Sequence, residues 1–162
     1  MTIQGTIAVS YATMQEYLSG SLTNRIASMK YNRGFDRVWI ISITNPEYPP
    51  PLVEEEDDKL PLQFHDAFDG ESKFVIFDNS MAKKVCEFLE KANADPESND
   101  LVVVNCQMGV SRSGAVSTFI REVFGLDYEA WRRDNTQVSP NHSVLDRLHH
   151  CWTKMQWDKK EP

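Results

Sequence analysis

The stretch Leu101–Val116, LVVVNCQMGVSRSGAV, decides how this chain folds. Four apolar residues lead into Asn105-Cys106, and a loop of small residues centred on Gly109 ends at Arg112-Ser113-Gly114. The apolar, β-branched run reads as a strand buried on both faces. Beyond the loop, SGAVSTFIREVFG carries Val116, Phe119, Ile120 and Val123 at helical spacing, with Gly125 as a stop. A strand, a tight loop and a helix form a cradle. The backbone N–H groups from Gln107 through Met108, Gly109, Val110 and Ser111 to Arg112 are expected to face one spot at the helix N-terminus, where the macrodipole favours negative charge. Such a nest suits a tetrahedral dianion. Gly109 allows the tight curl, and the planar fork of Arg112 can bind two oxygens of a phosphate.

The same field acts on Cys106. A thiol among N–H donors, a helix N-terminus and an arginine is expected to ionise early and to attack a bound phosphorus. Ser113 follows the arginine, and its hydroxyl can hydrogen-bond the sulfur and help it leave when a phosphocysteine is hydrolysed. The alternative is a cysteine buried for packing and an arginine on a helix surface. Ordinary residue frequencies produce Cys-x-x-Gly-x-x-Arg-Ser/Thr by chance in about one such chain in a thousand, and the strand–loop–helix context is narrower still.

Working outward, Thr6–Ser10 and Asp36–Ile43 read as strands, the second ending at the turn signal Asn45-Pro46. Between them, TMQEYLSG reads as a helix capped by Thr13, and the segment to Lys30 is ambiguous. The proline-rich, acidic segment Pro46–Lys59 reads as a charged, mobile surface loop. Leu60–His65 is a short strand, followed by the turn DAFDGES. Asn79 or Ser80 is expected to cap a helix with Met81, Val85, Phe88, Leu89 and Ala92 on its inner face. DYEAWRRD and SPNHSVLDRLHHCWTKM read as the last two helices, the final one carrying Val144, Leu148, Cys151 and Trp152 inward. Strands alternating with helices, then helices alone, imply an α/β fold with a parallel or mixed sheet covered by helices.

A chain of 162 residues is expected to form a single domain, 1–162, with a core that needs no disulfide staples. Its net charge of −7 argues against nucleic acid or an anionic membrane as the main partner. No apolar run reaches the length of a membrane span, and the N-terminus lacks the pattern of a signal peptide. Cys86, Cys106 and Cys151 are odd in number and widely spaced, which fits neither a disulfide framework nor a zinc site. A cytoplasmic monomer is the resulting expectation. Cys86 and Cys151 read as helix packing, adjacent His149 and His150 face different directions and make a poor ligand pair, and His65 reads as a solvated strand end.

Cys106 to Ser113, CQMGVSRS, resembles the Cys-x5-Arg-Ser/Thr signature of the cysteine-dependent protein tyrosine phosphatases, and the chain length resembles the dual-specificity branch. The stretch VWIISITNP followed by LQFHD is also similar to small bacterial and phage members. The resemblance spans roughly residues 36 to 150. It implies a central, mostly parallel sheet of four to five strands flanked by helices, with Cys106, Arg112 and Ser113 in catalytic roles. It also implies an aspartate, thirty to forty residues upstream, as the general acid. Asp66 directly follows a strand 40 residues before Cys106 and is preferred; Asp69, beside Gly70 at 37 residues, is the alternative. Both are equally at home as turn residues. Asn105 stands where the family has a histidine, and carries no positive charge.

The expected activity is hydrolysis of phosphomonoesters, first of all protein phosphotyrosine, with phosphoserine/threonine and small phosphometabolites also open. Neither metal nor cofactor is expected, since Arg112 and the amides serve the charge of the equatorial oxygens. The loop holds no Lys or Arg between Cys106 and Arg112, which favours a singly phosphorylated group. Two other functions share the motif: a binding module that captures phospho-ligands without turnover, and a different Cys-x5-Arg enzyme such as an arsenate reductase or sulfur transferase.

Overall fold

The run LVVV fills the centre of the sheet. In this computed structural model, which describes residues 2–160, it forms part of β4 (Asp100–Asn105), every residue of which is buried. Met1, Glu161 and Pro162, the ends of the expected 1–162 unit, lie outside the described residues. On one side β4 pairs with β1 (Ile3–Val9), on the other with β2 (Arg37–Thr44), and β2 pairs in turn with β3 (Lys59–Gln63). All pairings are parallel, giving the order β1-β4-β2-β3. The register places Val9 and Ser42 beside Asn105. The carboxyl ends of β1, β4 and β2 therefore lie together at one end of the sheet, where open parallel sheets hold their ligands.

The period-two alternation of the strands separates two layers. Ile7, Val9, Leu101 and Val103 pack with Met14 of α1 (Tyr11–Leu18) and with Ile26 and Met29 of α2 (Arg25–Asn32). Trp39, Ile41, Val102 and Val104 pack on the other face against α3 (Asn79–Ala92), α4 (Arg112–Val123) and α6 (His142–Lys160) through Val85, Phe119 and Leu148. Each such apolar side chain fully removed from water contributes about 1.5–3 kcal/mol. Along the outer edge of β1 lies α5 (Tyr128–Asp134), followed by Asn135. The buried Asn135 amide accepts from Ala8 N at 2.8 Å and donates to Thr6 O and Trp131 O, so a side chain meets the backbone groups that a neighbouring strand would otherwise bond.

Several local expectations are corrected. Ser10, not Thr13, caps α1: its hydroxyl accepts from Thr13 N at 3.2 Å, because β1 runs directly into the helix without a spacer. Asp78, not Asn79 or Ser80, caps α3, accepting from Met81 N at 2.9 Å. Such bonds contribute about 1 kcal/mol each. The ambiguous segment before Lys30 resolves into α2, capped by Asn24. The proline-rich, acidic loop is pinned rather than free, with Val53 buried and the Tyr11 hydroxyl donating to Pro50 O at 2.9 Å. His65 is not a solvated strand end: its Nδ1 accepts from Val75 N at 2.9 Å and its Nε2 bonds Glu47 at 3.0 Å. Among the described residues no helix is long and apolar enough to cross a membrane.

Candidate active site

The loop between β4 and α4 is held by its carbonyl oxygens. Gln107 O accepts from Tyr11 N at 3.1 Å, Val110 O from Ser139 N at 3.1 Å and Ser111 O from Asn141 N at 3.0 Å. Gly109 O accepts from Gln137 Nε2 at 2.9 Å. In a trans peptide the carbonyl and the following N–H point in opposite directions. Outward carbonyls at these four positions therefore turn the N–H groups of Met108, Val110, Ser111 and Arg112 into the bowl. Gly109 has φ +76°, and a Cβ there would lie 2.5 Å from the carbonyl carbon of Val9 and 2.7 Å from Ser10 N. Glycine is required twice at this position, for the left-handed backbone and for the close approach of the β1–α1 junction.

Cys106 sits at the base of the bowl, 3% exposed, with its Sγ 3.0 Å from Ser113 Oγ. Burial alone pushes the thiol up. The Ser113 hydroxyl, the N–H groups of Ser113 and Gly109, and the charge of Arg112 more than reverse this, leaving the Cys106 thiol below its ordinary range. Arg112 is 5% exposed, and both N–H bonds of its Nη1 are committed, to Asn45 Oδ1 and Phe64 O, each at 2.7 Å. Both acceptors are neutral, so no carboxylate cancels the charge there. The Nε and Nη2 edge of the fork is the part left to grip an oxyanion.

The two candidate aspartates are separated by the structure. Asp66 Oδ1 accepts from Ser111 Oγ at 2.9 Å and from Asn141 Nδ2 at 2.8 Å, at the rim of the bowl. Asp69 is turned to α6, paired with Arg147 at 3.0 Å while its N–H donates to Ser143 Oγ. A nucleophile, a guanidinium and a carboxyl group thus converge on one loop, an arrangement able to bind a phosphate, attack it and protonate what leaves.

Neither known family models nor curated proteins match the chain. Solved structures do. DUSP15 aligns over 100% of this chain and 96% of its own at TM-score 0.52 and 17% identity. Human DUSP28 aligns over 94% of each chain at TM-score 0.51 and 16% identity, and the Cydia pomonella PTP-2 phosphatase over 91% and 85% at TM-score 0.51 and 15% identity. The chain has the dual-specificity phosphatase fold. At these identities the likeness is one of fold.

Within this dual-specificity phosphatase fold, sequence reasoning reached the loop but missed what surrounds it. The segment Gln137–Asn141, joining α5 to α6, supplies three donors to the loop carbonyls, from Gln137, Ser139 and Asn141. Asn45 fixes the guanidinium. Of these, Asn141 alone left a readable signal: an Asn before an apolar-periodic run is a helix cap, and its Oδ1 does accept from Val144 N at 3.2 Å. Asn105 is fully buried; its Nδ2 bonds Cys106 O at 3.4 Å and its Oδ1 has no hydrogen-bond partner among the described residues. His149 pairs with Glu122 at 3.2 Å. Cys86 is buried and its thiol is pushed up, by burial first and then by Cys151 beside it, which suits the packing role expected of both.

Proposed function

We propose that this chain hydrolyses phosphomonoesters through a phosphocysteine on Cys106. The observation that carries this is the set of donors converging on the Cys106 sulfur inside a loop whose helix opens with Arg112. The bound phosphate lies in the bowl of N–H groups, gripped by the free edge of Arg112. The Cys106 thiolate attacks phosphorus in line as the P–O bond to the leaving group breaks. Asp66 gives its proton to the departing oxygen. Water then attacks the S-phosphocysteine, its proton passes to the Asp66 carboxylate, and the thiolate leaves with the Ser113 hydroxyl bonded to it. Inorganic phosphate is the second product. Arg112 and the loop amides supply the stabilisation of the equatorial oxygens, so the cycle calls for neither metal nor cofactor.

The substrate is a singly phosphorylated group, with protein phosphotyrosine the leading class. None of the residues between Cys106 and Arg112 is basic, so additional phosphates would meet no added cation there. The protein works as a monomeric, single phosphatase-like unit in the cytoplasm.

The test is hydrolysis of p-nitrophenyl phosphate between pH 5 and 7 by the wild-type protein, Cys106→Ser and Asp66→Asn. Turnover that vanishes in Cys106→Ser supports the proposal. Binding of vanadate without any turnover would make the protein a phospho-ligand module instead. Phosphotyrosine and phosphothreonine peptides compared by kcat/KM then decide the side-chain class.

A further inference from the structure

We infer that Cys86, Cys151 and Met155 form a binding site for a thiophilic d10 cation, copper(I), between α3 and α6. The site stands apart from the proposed hydrolase centre: Cys151 lies about 15 Å along α6 from Asn141 at the phosphate loop.

The three sulfurs meet across two helices. Cys86 projects from the inner face of α3 and is fully buried, and its Sγ lies 3.9 Å from Leu148 O on α6. Cys151 follows Leu148 by three residues. Helical side chains lean toward the N-terminus of their helix, so the Cys151 sulfur leans over the turn that Cys86 touches. The two thiols are hydrogen-bond neighbours. Met155 is one turn further along the same face, and Cys151 Sγ lies 4.0 Å from Met155 Sδ. Cys151 thus touches both other sulfurs, and all three pack into one core. Two sulfurs that share a trigonal ion at about 2.3 Å each are themselves about 4 Å apart, so the three need move little to close on a cation.

The donor set names the ion. Two thiols and a thioether are soft ligands, which select copper(I) over harder divalent cations. Zinc would call for further ligands from His, Cys, Asp or Glu, and no group of three such residues comes together among the described residues. Binding releases one proton from each thiol to solvent and changes no oxidation state. Two thiolates, a thioether and one Cu+ leave a single net negative charge. A cavity of about 300 Å³ opens onto Cys151 and Met155, and its charged lining includes Lys83 and Lys154 against Asp158. It gives the ion a route from solvent, and its two lysines offset the charge that binding creates.

The test is copper(I) binding to Cys106→Ser, which removes the thiol of the phosphate loop, in competition with a colorimetric copper(I) chelator under anaerobic, reducing conditions. One equivalent is expected to bind, with three sulfur neighbours by X-ray absorption. Cys86→Ala and Cys151→Ala are each expected to lose more than about 100-fold in affinity, the upper end for an outer-shell group. Met155→Leu, which keeps the volume, is expected to lose about 10-fold. Cys151→Ala, at a half-buried position, and Met155→Leu stand in if Cys86→Ala fails to fold. Loss of all copper to the chelator, or retention undiminished in Cys151→Ala, overturns the inference. So does an affinity unchanged in Met155→Leu. Turnover plays no part in these readouts, so the inference and the hydrolase assignment fail separately.

Discussion

Ser113 Oγ lies 3.0 Å from the sulfur of Cys106, seven residues along the chain, and both atoms are buried. The strand–loop–helix geometry brings them together: Cys106 follows the last residue of β4 and Ser113 occupies the first turn of α4. In the proposed cycle the sulfur is a nucleophile once and a leaving group once, and a hydroxyl donor assists the second role more than the first. Ser113→Ala is therefore expected to lower kcat about 10- to 100-fold, the worth of one hydrogen bond to a charged group. Phosphocysteine should accumulate and be trapped by acid quench and mass spectrometry. A slower enzyme without accumulated intermediate would contradict the leaving-group role.

A depressed thiol pKa has a signed consequence for stability. Burial pushes the Cys106 thiol up, but the donors from Ser113 and Gly109 and the charge of Arg112 bring it below its ordinary value. Between the folded and unfolded values the unfolded chain binds more protons, so stability rises with pH. The contribution is complete above the unfolded value of about 8.5 and is lost as pH falls through the folded value. Cys106→Ser removes it. The wild-type Tm minus the Cys106→Ser Tm is expected to be more positive at pH 9 than at pH 5. A difference that stays flat would mean a neutral thiol at the base of the loop. Iodoacetamide at neutral pH should modify Cys106 ahead of Cys86, whose thiol burial pushes up.

The parts of the fold legible in the sequence were those fixed by local pattern. LVVVN is apolar at every position before Asn105, which belongs only to a strand covered on both faces, and the Cys106–Arg112 spacing encodes one turn of loop. The choice between Asp66 and Asp69 was not local. Both sit in one turn, and only the docking of α6, with Arg147 taking one carboxylate and Asn141 the other, separates them. The same holds for Gln137 and Asn45, which lie 28 and 67 residues from the groups they bond and carry no periodicity of their own. Ser10 and Thr13 are equally good caps as residue types, so the residue type alone does not exclude Thr13; the tight junction with β1 puts the cap of α1 at Ser10.

Gly109 offers the sharpest structural test. Alanine there must hold φ near +76° and place its Cβ 2.5 Å from the backbone of Val9. The first demand costs about 1–2 kcal/mol, and the second is met only by moving the loop or β1. Gly109→Ala is expected to lose about 2–4 kcal/mol of stability in denaturant titration and most of its affinity for phosphate or vanadate. Retention of both would mean that the loop curls differently around its ligand.

Asn45 Oδ1 accepts from Arg112 Nη1 at 2.7 Å, and the choice of an amide over a carboxylate at this point has a testable sign. An amide orients the guanidinium without neutralising it. Asn45→Ala frees that arm of the fork while Phe64 O still holds the other N–H of Nη1. Phosphate affinity is expected to fall about 10-fold, the lower end for a hydrogen bond to a charged group. Asn45→Asp holds the guanidinium at least as firmly but places a negative charge beside the site that receives the phosphate dianion. It is expected to bind phosphate more weakly than Asn45→Ala, because the added repulsion outweighs the restored orientation at such short range. Inhibition constants for inorganic phosphate in the three proteins decide the point. An Asn45→Asp protein that binds phosphate as well as the wild type would show that Asn45 serves only as a spacer, and that the charge available to the ligand is set elsewhere in the loop.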